Sequence, residues 1–326
     1  MPYLSAELKF KKSKAVTNTS INGGRMIAAE YVNAVRENVF PLILESDRAN
    51  GITLYRKIHC HLAKSDNSIG LQTRAFLTDI TPGDTASYII AATHRNTQGD
   101  ISGTERKYAA GRLNSDVSVG DNIIVANFDL GNGANQVIQN GDMLWLSNGA
   151  NEQFLTVSAI TWVSDQATIT TTETAAYNFL VADNSTCASV LTAENVTTSQ
   201  SNWSKNTTSG VYDETTYPLL LEHLGAVEQT LTFTMTDSAN FNCVSDSLGN
   251  LGAGSLGANF APVNPDTAAP YFTLRAAGFS GTWQAGESFS VQTHPAAVPL
   301  FWIYQVNSGA APIANDNVTL SFGVLG

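Results

Sequence analysis

The stretch GDNIIVANFDLGNGANQVIQNGDMLWLSNGANEQFLTVSAITWVSDQATITTT (120–172) decides the fold class. Its apolar and β-branched runs are four to twelve residues long, and Gly-Asp or Asn-Gly pairs at 120–121, 132–133 and 140–141 break them apart. Runs of this kind between turn signals read as strands, not helices. Four or five of them in succession form a meander long enough to close, so residues 113–182 are expected to be a small β-barrel.

The same style continues on both sides. Strands are expected at 51–63, 69–78 and 87–93, and again at 229–236, 271–276, 287–293, 300–306 and 317–324. Short strands at roughly ten-residue spacing imply sandwiches or barrels. The expected fold is therefore mainly β: a small β-barrel plus a β-sandwich, with an extended N-terminal arm and one short N-terminal helix. In domain terms, 1–60 would hold the arm, the helix and the first strand. Strands in 61–112 would join the C-terminal sandwich, 113–182 would be an inserted barrel, 183–226 a polar linker, and 227–326 the C-terminal β-sandwich. The helix rests on RMIAAEYVNAVRENVF (25–40), where Met26, Tyr31, Ala34, Val35 and Val39 fall near helical spacing and Pro41 follows. A Gly- and Ala-rich stretch at 247–270 reads as a long loop.

Composition narrows the function. Charged residues make up only 14% of the chain, against about 25% in ordinary soluble proteins. Surfaces that end against other protein tend to shed charge, because desolvating it is costly. The net charge of -11 is unevenly spread. Residues 1–112 carry fifteen Lys and Arg against ten Asp and Glu, whereas residues 113–326 carry only Lys205 and Arg275 against eighteen acids. A basic first third could dock on the acidic remainder of a neighbouring copy, and the candidate contacts are Lys9, Lys11, Lys12, Lys14, Arg25 and Arg36, with Trp203 as an aromatic anchor. The plainer reading of the acidic part is solubility. Cys60, Cys187 and Cys243 are too few and too far apart for a disulfide framework, which suits a reduced site of assembly. The first sixteen residues lack the apolar core of a signal peptide, and no run of about 18 apolar residues suggests a membrane span.

Three segments carry a resemblance: SAELKF and KKSKAVTNTSINGGRM (5–26), NVFPLILESDRANGITLYRKI (38–58), and FSGTWQAGESFSVQTHPAAVPLFWIYQVNSGA (279–310). Their arrangement resembles a family of virion or tail-associated structural proteins of tailed bacteriophages and prophages, including Mu-like ones. The resemblance implies a self-assembling subunit of a tail, neck or baseplate ring or of a shell, located in the virion after assembly in the host cytoplasm. Its partners would be copies of itself and other virion proteins. The alternatives are a capsid decoration protein and a receptor- or glycan-binding tail protein. The coiled-coil heptads and solenoid repeats frequent in fibres are not evident.

Catalytic and cofactor motifs offer little. His59-Cys60-His61 would place two imidazoles on one strand face, but a structural metal site needs about four ligands, and a polar strand face explains the pair as well. Asp79, Asp84, Asp121 and Asp142 sit at turns without calcium-loop spacing. No phosphate loop or nucleophile elbow occurs. The KFKKSK run (9–14) could touch phosphates, yet only Phe10 could stack a base, so nucleic acid is not an expected partner. No catalytic residue, cofactor or metal is expected, and the chain is not read as an enzyme.

Overall fold

The computed structural model describes residues 3–33, 35, 37–81, 84–128, 130, 137–312 and 318–325. In chain order the strands begin with β1 (Leu8–Ala15) and β2 (Gly23–Glu30), followed by the short helix α1 (Glu45–Asn50), β3 (Ile52–Leu62), β4 (Gly70–Leu77), β5 (Thr85–Ala91) and β6 (Lys107–Tyr108). Then come β7 (Ala110–Leu113), β8 (Ile123–Asn127), β9 (Met143–Ser147), β10 (Glu152–Val163), β11 (Gln166–Thr171) and β12 (Thr186–Ser189). The remainder comprises β13 (Leu191–Val196), β14 (Ser199–Asn206), β15 (Gly210–Tyr212), β16 (Gln229–Met235), β17 (Asn240–Ser245) and β18 (Gly249–Ser255). Last are β19 (Phe279–Gly281), β20 (Ser288–His294), β21 (Ala297–Val306) and β22 (Leu320–Leu325).

The alternating runs of the opening stretch close into a six-stranded barrel in the order β10-β11-β8-β7-β12-β9. Its entry and exit strands pair with each other, with Thr186 opposite Arg112 and Ala188 opposite Ala110. Alternate residues such as Ile124, Ala126, Leu144, Leu146, Leu155, Val157, Ala167 and Ile169 fill the interior. Gly111 is required on the entry strand, because a Cβ there would lie 2.6 Å from the Asn127 carbonyl oxygen and the Phe128 ring.

The barrel sits on a six-stranded sheet ordered β2-β1-β3-β21-β5-β6. β21 lies between β3 and β5, paired with both along most of its length. Successive side chains of a strand face opposite ways, and β21 uses both faces. Phe301 and Ile303 join the barrel core, whereas Leu300 and Trp302 pack with Ile58, Cys60 and Ile89 against the three-stranded sheet β13-β4-β22. A barrel and a two-layer sandwich thus share one central sheet.

The C-terminal unit is the five-stranded sheet β14-β20-β16-β17-β18, with the small β15-β19 ladder beside it. Its core is aromatic. Phe233 stacks on Phe289 at 4.7 Å and meets Phe241 and Phe272 edge-on at 5.7 and 5.8 Å. These offset and edge-on arrangements are the ones aromatic quadrupoles favour.

Several sequence expectations are corrected. Residues 23–30 form a strand, not the start of a helix, and the α-helix among the described residues is α1. Helical spacing over 26–39 was a weak local preference. Pairing with β1 satisfies a whole row of backbone groups, with Ser13 opposite Met26 and Lys11 opposite Glu30, and that long-range ladder overrides propensity. Glycines at positive φ, Gly23 and Gly24, open the strand after the turn. Helix α1 begins where the Asp47 carboxylate accepts the Leu44 backbone N–H at 3.0 Å, and it ends at Gly51, whose φ is 77°. The N-terminal arm is a strand too, since β1 pairs with β3 from Leu8↔Leu62 to Lys12↔Ile58. The 183–226 segment is no linker but supplies β12 to β15, and the 247–270 loop contains β18. Residues 271–276 make isolated bridges rather than a strand, with Thr273 against Leu220 and Leu274 against Phe260. Strands β21 and β22 leave the C-terminal unit and return to the first body.

A histidine-lined seam as the candidate functional site

Strand β3 is buried on both faces. One face carries Leu54, Ile58, Cys60 and Leu62 into apolar packing. The other carries Lys57, His59 and His61, which are 0%, 0% and 4% exposed. Polar groups this deeply buried need polar partners, and they find them on β2, the C-terminal unit and the loop after β5. The seam between central sheet and C-terminal unit collects all five histidines of the chain.

The His59 ring stacks on His94 at 6.2 Å, and His94 stacks on His294 at 5.9 Å. His294 Nδ1 meets Glu228 Oε2 at 2.6 Å, and its Nε2 meets the Ser201 hydroxyl at 2.8 Å. His61 Nε2 lies 2.9 Å from the carbonyl oxygen of His223, whose own Nε2 lies 3.1 Å from the Thr197 hydroxyl. His59 Nε2 faces the Gly24 carbonyl oxygen at 3.3 Å. A ring nitrogen facing a carbonyl must donate, so His59 and His61 carry their proton on Nε2. Their Nδ1 atoms are left bare, and the Nδ1 atoms of His59, His61, His94 and His223 are buried without a hydrogen-bond partner.

Charges border the rings. Lys57 Nζ donates to the carbonyls of His94 at 3.2 Å and Asn96 at 2.7 Å, over the Phe301 ring. Arg95 Nε donates to Glu228 at 2.5 Å, and Arg95 Nη1 to Asp246 at 3.0 Å. Arg25 pairs with the same Asp246 carboxylate. Burial lowers the Lys57 ammonium to about 7 and takes the His61 and His94 imidazoles down to about 4. His59 is held well below its ordinary value, again by burial first. Burial opposes the ionised Glu228 carboxylate, but hydrogen bonds from His294 and Arg95 outweigh it and hold that group low.

Chemically, the arrangement binds and releases protons and joins two bodies. Among the described residues no group of three or more His, Cys, Asp or Glu is arranged to hold a metal ion. Cys60 lies on the opposite face from its two histidine neighbours, in the apolar core. Asp121 and Asp142 cap turns, accepting the backbone N–H groups of Ser118 and Gln139.

The residues expected to contact other subunits are placed as follows. Lys9 and Lys11 pair with Glu30 at 3.5 and 2.8 Å. Lys12 lies over the Tyr31 ring at 5.1 Å, and Lys14 is exposed. Arg25 reaches Asp246, and Arg36 lies outside the described residues. The basic first third therefore meets the acidic remainder within one chain, through Arg25, Arg95, Glu228 and Asp246. Trp203 is half-buried, with its ring stacked on Tyr212 at 5.7 Å and Phe289 at 6.1 Å. Sequence reasoning read His94 only as a strand-end residue and Lys57 only as part of a polar strand face, and it passed over His223, Glu228 and Asp246. The available signal was the run Lys57, His59, His61 on one face of a strand whose other face carries Leu54, Ile58, Cys60 and Leu62 beside Arg56.

No protein-family model matches the chain, and no curated protein matches it. A similar chain among solved structures belongs to the VP16-VP17 complex, a complex of the two major capsid proteins of bacteriophage P23-77. The match has 11% identity and a TM-score of 0.16, and it covers 78% of this chain and 98% of that one. Likeness at that level establishes neither a shared fold nor a shared function.

Proposed function

We propose that the protein is a non-enzymatic structural subunit of a tailed-phage particle, assembling with copies of itself into a tail, neck or baseplate ring or a shell. The observation that carries this reading is where the family-like segments lie. They come from opposite ends of the chain, yet they supply β1, β3 and β21, adjacent strands of the central sheet. Their tips are tied together as well. Gly309 N donates to the Arg48 carbonyl at 2.8 Å, and the Ser308 hydroxyl donates to the Ala49 carbonyl at 3.1 Å. The three segments thus meet in the central sheet, and the third also supplies β19 and β20 of the C-terminal unit.

The surface of the first 44 residues favours association. Leu4, Val16, Ile21, Ile27, Val32, Val35, Leu42 and Leu44 are all exposed, and β2 is a sheet edge. Exposed apolar side chains beside an unpaired strand edge favour contact with another chain. The test is the mass of the purified protein by light scattering, at low and at high salt. A discrete species several subunits in size is expected. A monomer at every concentration, with no binding to phage heads or tails, would overturn the reading.

A further inference from the structure

We propose that the histidine seam is an acid-operated latch, holding the C-terminal unit on the central sheet at neutral pH and releasing it on acidification. The inference stands on the geometry of the seam and is independent of the assembly reading. Five imidazoles arrive from four separate segments of the chain and converge on one interface. Three of them form a continuous stack, with interplanar angles of 15° and 26°. Neutral rings pack well in this way, whereas adjacent imidazolium ions about 6 Å apart repel strongly in a dry interface.

Glu228 can balance a proton on His294, which it already meets, but the bare Nδ1 atoms of His59, His61 and His94 meet no carboxylate. Facing the rings are Lys57 from β3, Lys11 from β1, Arg25 and Glu30 from β2, and Arg95 and Asp100 from the loop after β5. Glu228 and Asp246 come from the C-terminal unit, and Asp66, from the loop after β3, acts on His223. Most of these carboxylates are already engaged. Glu30 is held by Lys9 and Lys11, Asp246 by Arg25 and Arg95, and Glu228 by Arg95 and His294. Asp100 accepts from Thr97. Protonating the bare Nδ1 of His59, His61 or His94 creates a buried N–H that has no acceptor. Protons have a route in, because a cleft of about 230 Å³ opens onto the seam, with His61 and Glu228 in its wall and Lys14, Arg25 and Asp266 beside them.

The sign follows from the depressed basic groups. An opened seam returns the imidazoles to their ordinary value of 6.5, whereas the closed seam holds His61 and His94 at about 4. For the imidazoles, the open form therefore binds more protons below pH 6.5, so their closing preference is complete above that pH and is lost as pH falls toward 4; Lys57, held at about 7 in the closed seam, adds a preference that grows as pH rises above 7. At about pH 5, each of these two histidines shifts the balance about thirtyfold toward opening.

The test is hydrogen exchange of the full chain, followed by mass spectrometry at about pH 7.5 and about pH 5 and corrected for intrinsic rates. The peptide spanning 221–226, whose His223 N–H is held across the seam by Asn67 Oδ1 at 2.7 Å, is expected to lose protection about thirtyfold or more on acidification. Barrel peptides spanning 123–127 and 166–171 are expected to keep theirs. His94→Gln, at the half-buried rim, and His61→Gln should each move seam opening to lower pH. If either variant is unstable at neutral pH, the wild-type contrast between seam and barrel decides alone. The latch is overturned if seam and barrel lose protection together, if the seam stays protected, or if folded variants open at the wild-type pH.

Discussion

Replacing Phe233 with Ala removes the centre of the C-terminal aromatic core. The ring is fully buried and touches Phe289, Phe241 and Phe272 at 4.7, 5.7 and 5.8 Å between centroids. Truncating a buried Phe to Ala costs about 3–5 kcal/mol, and aromatic pairs add about 0.5–1.5 kcal/mol beyond area burial. The surrounding rings are stiff and cannot collapse far into the void, so a loss of about 4–5 kcal/mol is expected. With a urea slope of about 2 kcal/mol per molar, the midpoint of the C-terminal unit should fall by about 2 M. Trp203 and Trp283 pack in this core, and their fluorescence reports its unfolding. Phe233→Leu should lose roughly a third as much, because most of the volume is kept. A loss below about 1 kcal/mol for the Ala variant, or equal losses for Ala and Leu, would refute the claim that this ring organises the unit.

Two further expectations concern the barrel and the seam. Gly111→Ala should lower thermal stability by about 1–3 kcal/mol through overpacking against Asn127 and Phe128. Gly257→Ala, where an added methyl meets nothing within 4 Å, should melt like the parent, and equal melting of the two variants would contradict the packing described. Glu228→Gln keeps the shape but removes the charge that Arg95 and His294 bond, costing about 2 kcal/mol at neutral pH. Because the native carboxylate titrates below its ordinary 4.5, this contribution is present above that pH and lost below it. The gap between variant and parent in denaturant titrations should narrow as pH drops from 4.5, and a constant gap would count against the pairing.

The barrel was legible because its strands alternate apolar and polar residues and are separated by Asn-Gly and Gly-Asp turns, a local pattern with one solution. β3 was legible for the same reason, as were both of its faces. What its polar face meets was not legible. His59 and His94 are 35 residues apart, His61 and His223 are 162 apart, and nothing local encodes those encounters. The helix expected over 26–39 failed through the opposite weakness. A local spacing was present, but an unpaired β1 edge nearby made a stronger demand on the backbone. Lys9, Lys11 and Arg25 looked free in sequence because their partners, Glu30 and Asp246, are identified only by the fold. Trp203 looked exposed because its neighbours in sequence are polar, while strand β14 turns its ring toward Tyr212 and Phe289.

The position of β21 imposes an order on biosynthesis. The central sheet cannot join β3 to β5 until residues 297–306 have left the ribosome, since β21 is the strand between them. The barrel draws all its strands from residues 110–189, and its ladders can form while the rest of the chain is still being made. Until residues 297–306 emerge, β3 and β5 each wait with an open edge, a state in which nascent chains are prone to pair with one another. Completion of the framework thus follows synthesis of the barrel and the C-terminal unit, and the interval between them is when the open edges of β3 and β5 are most exposed to mispairing.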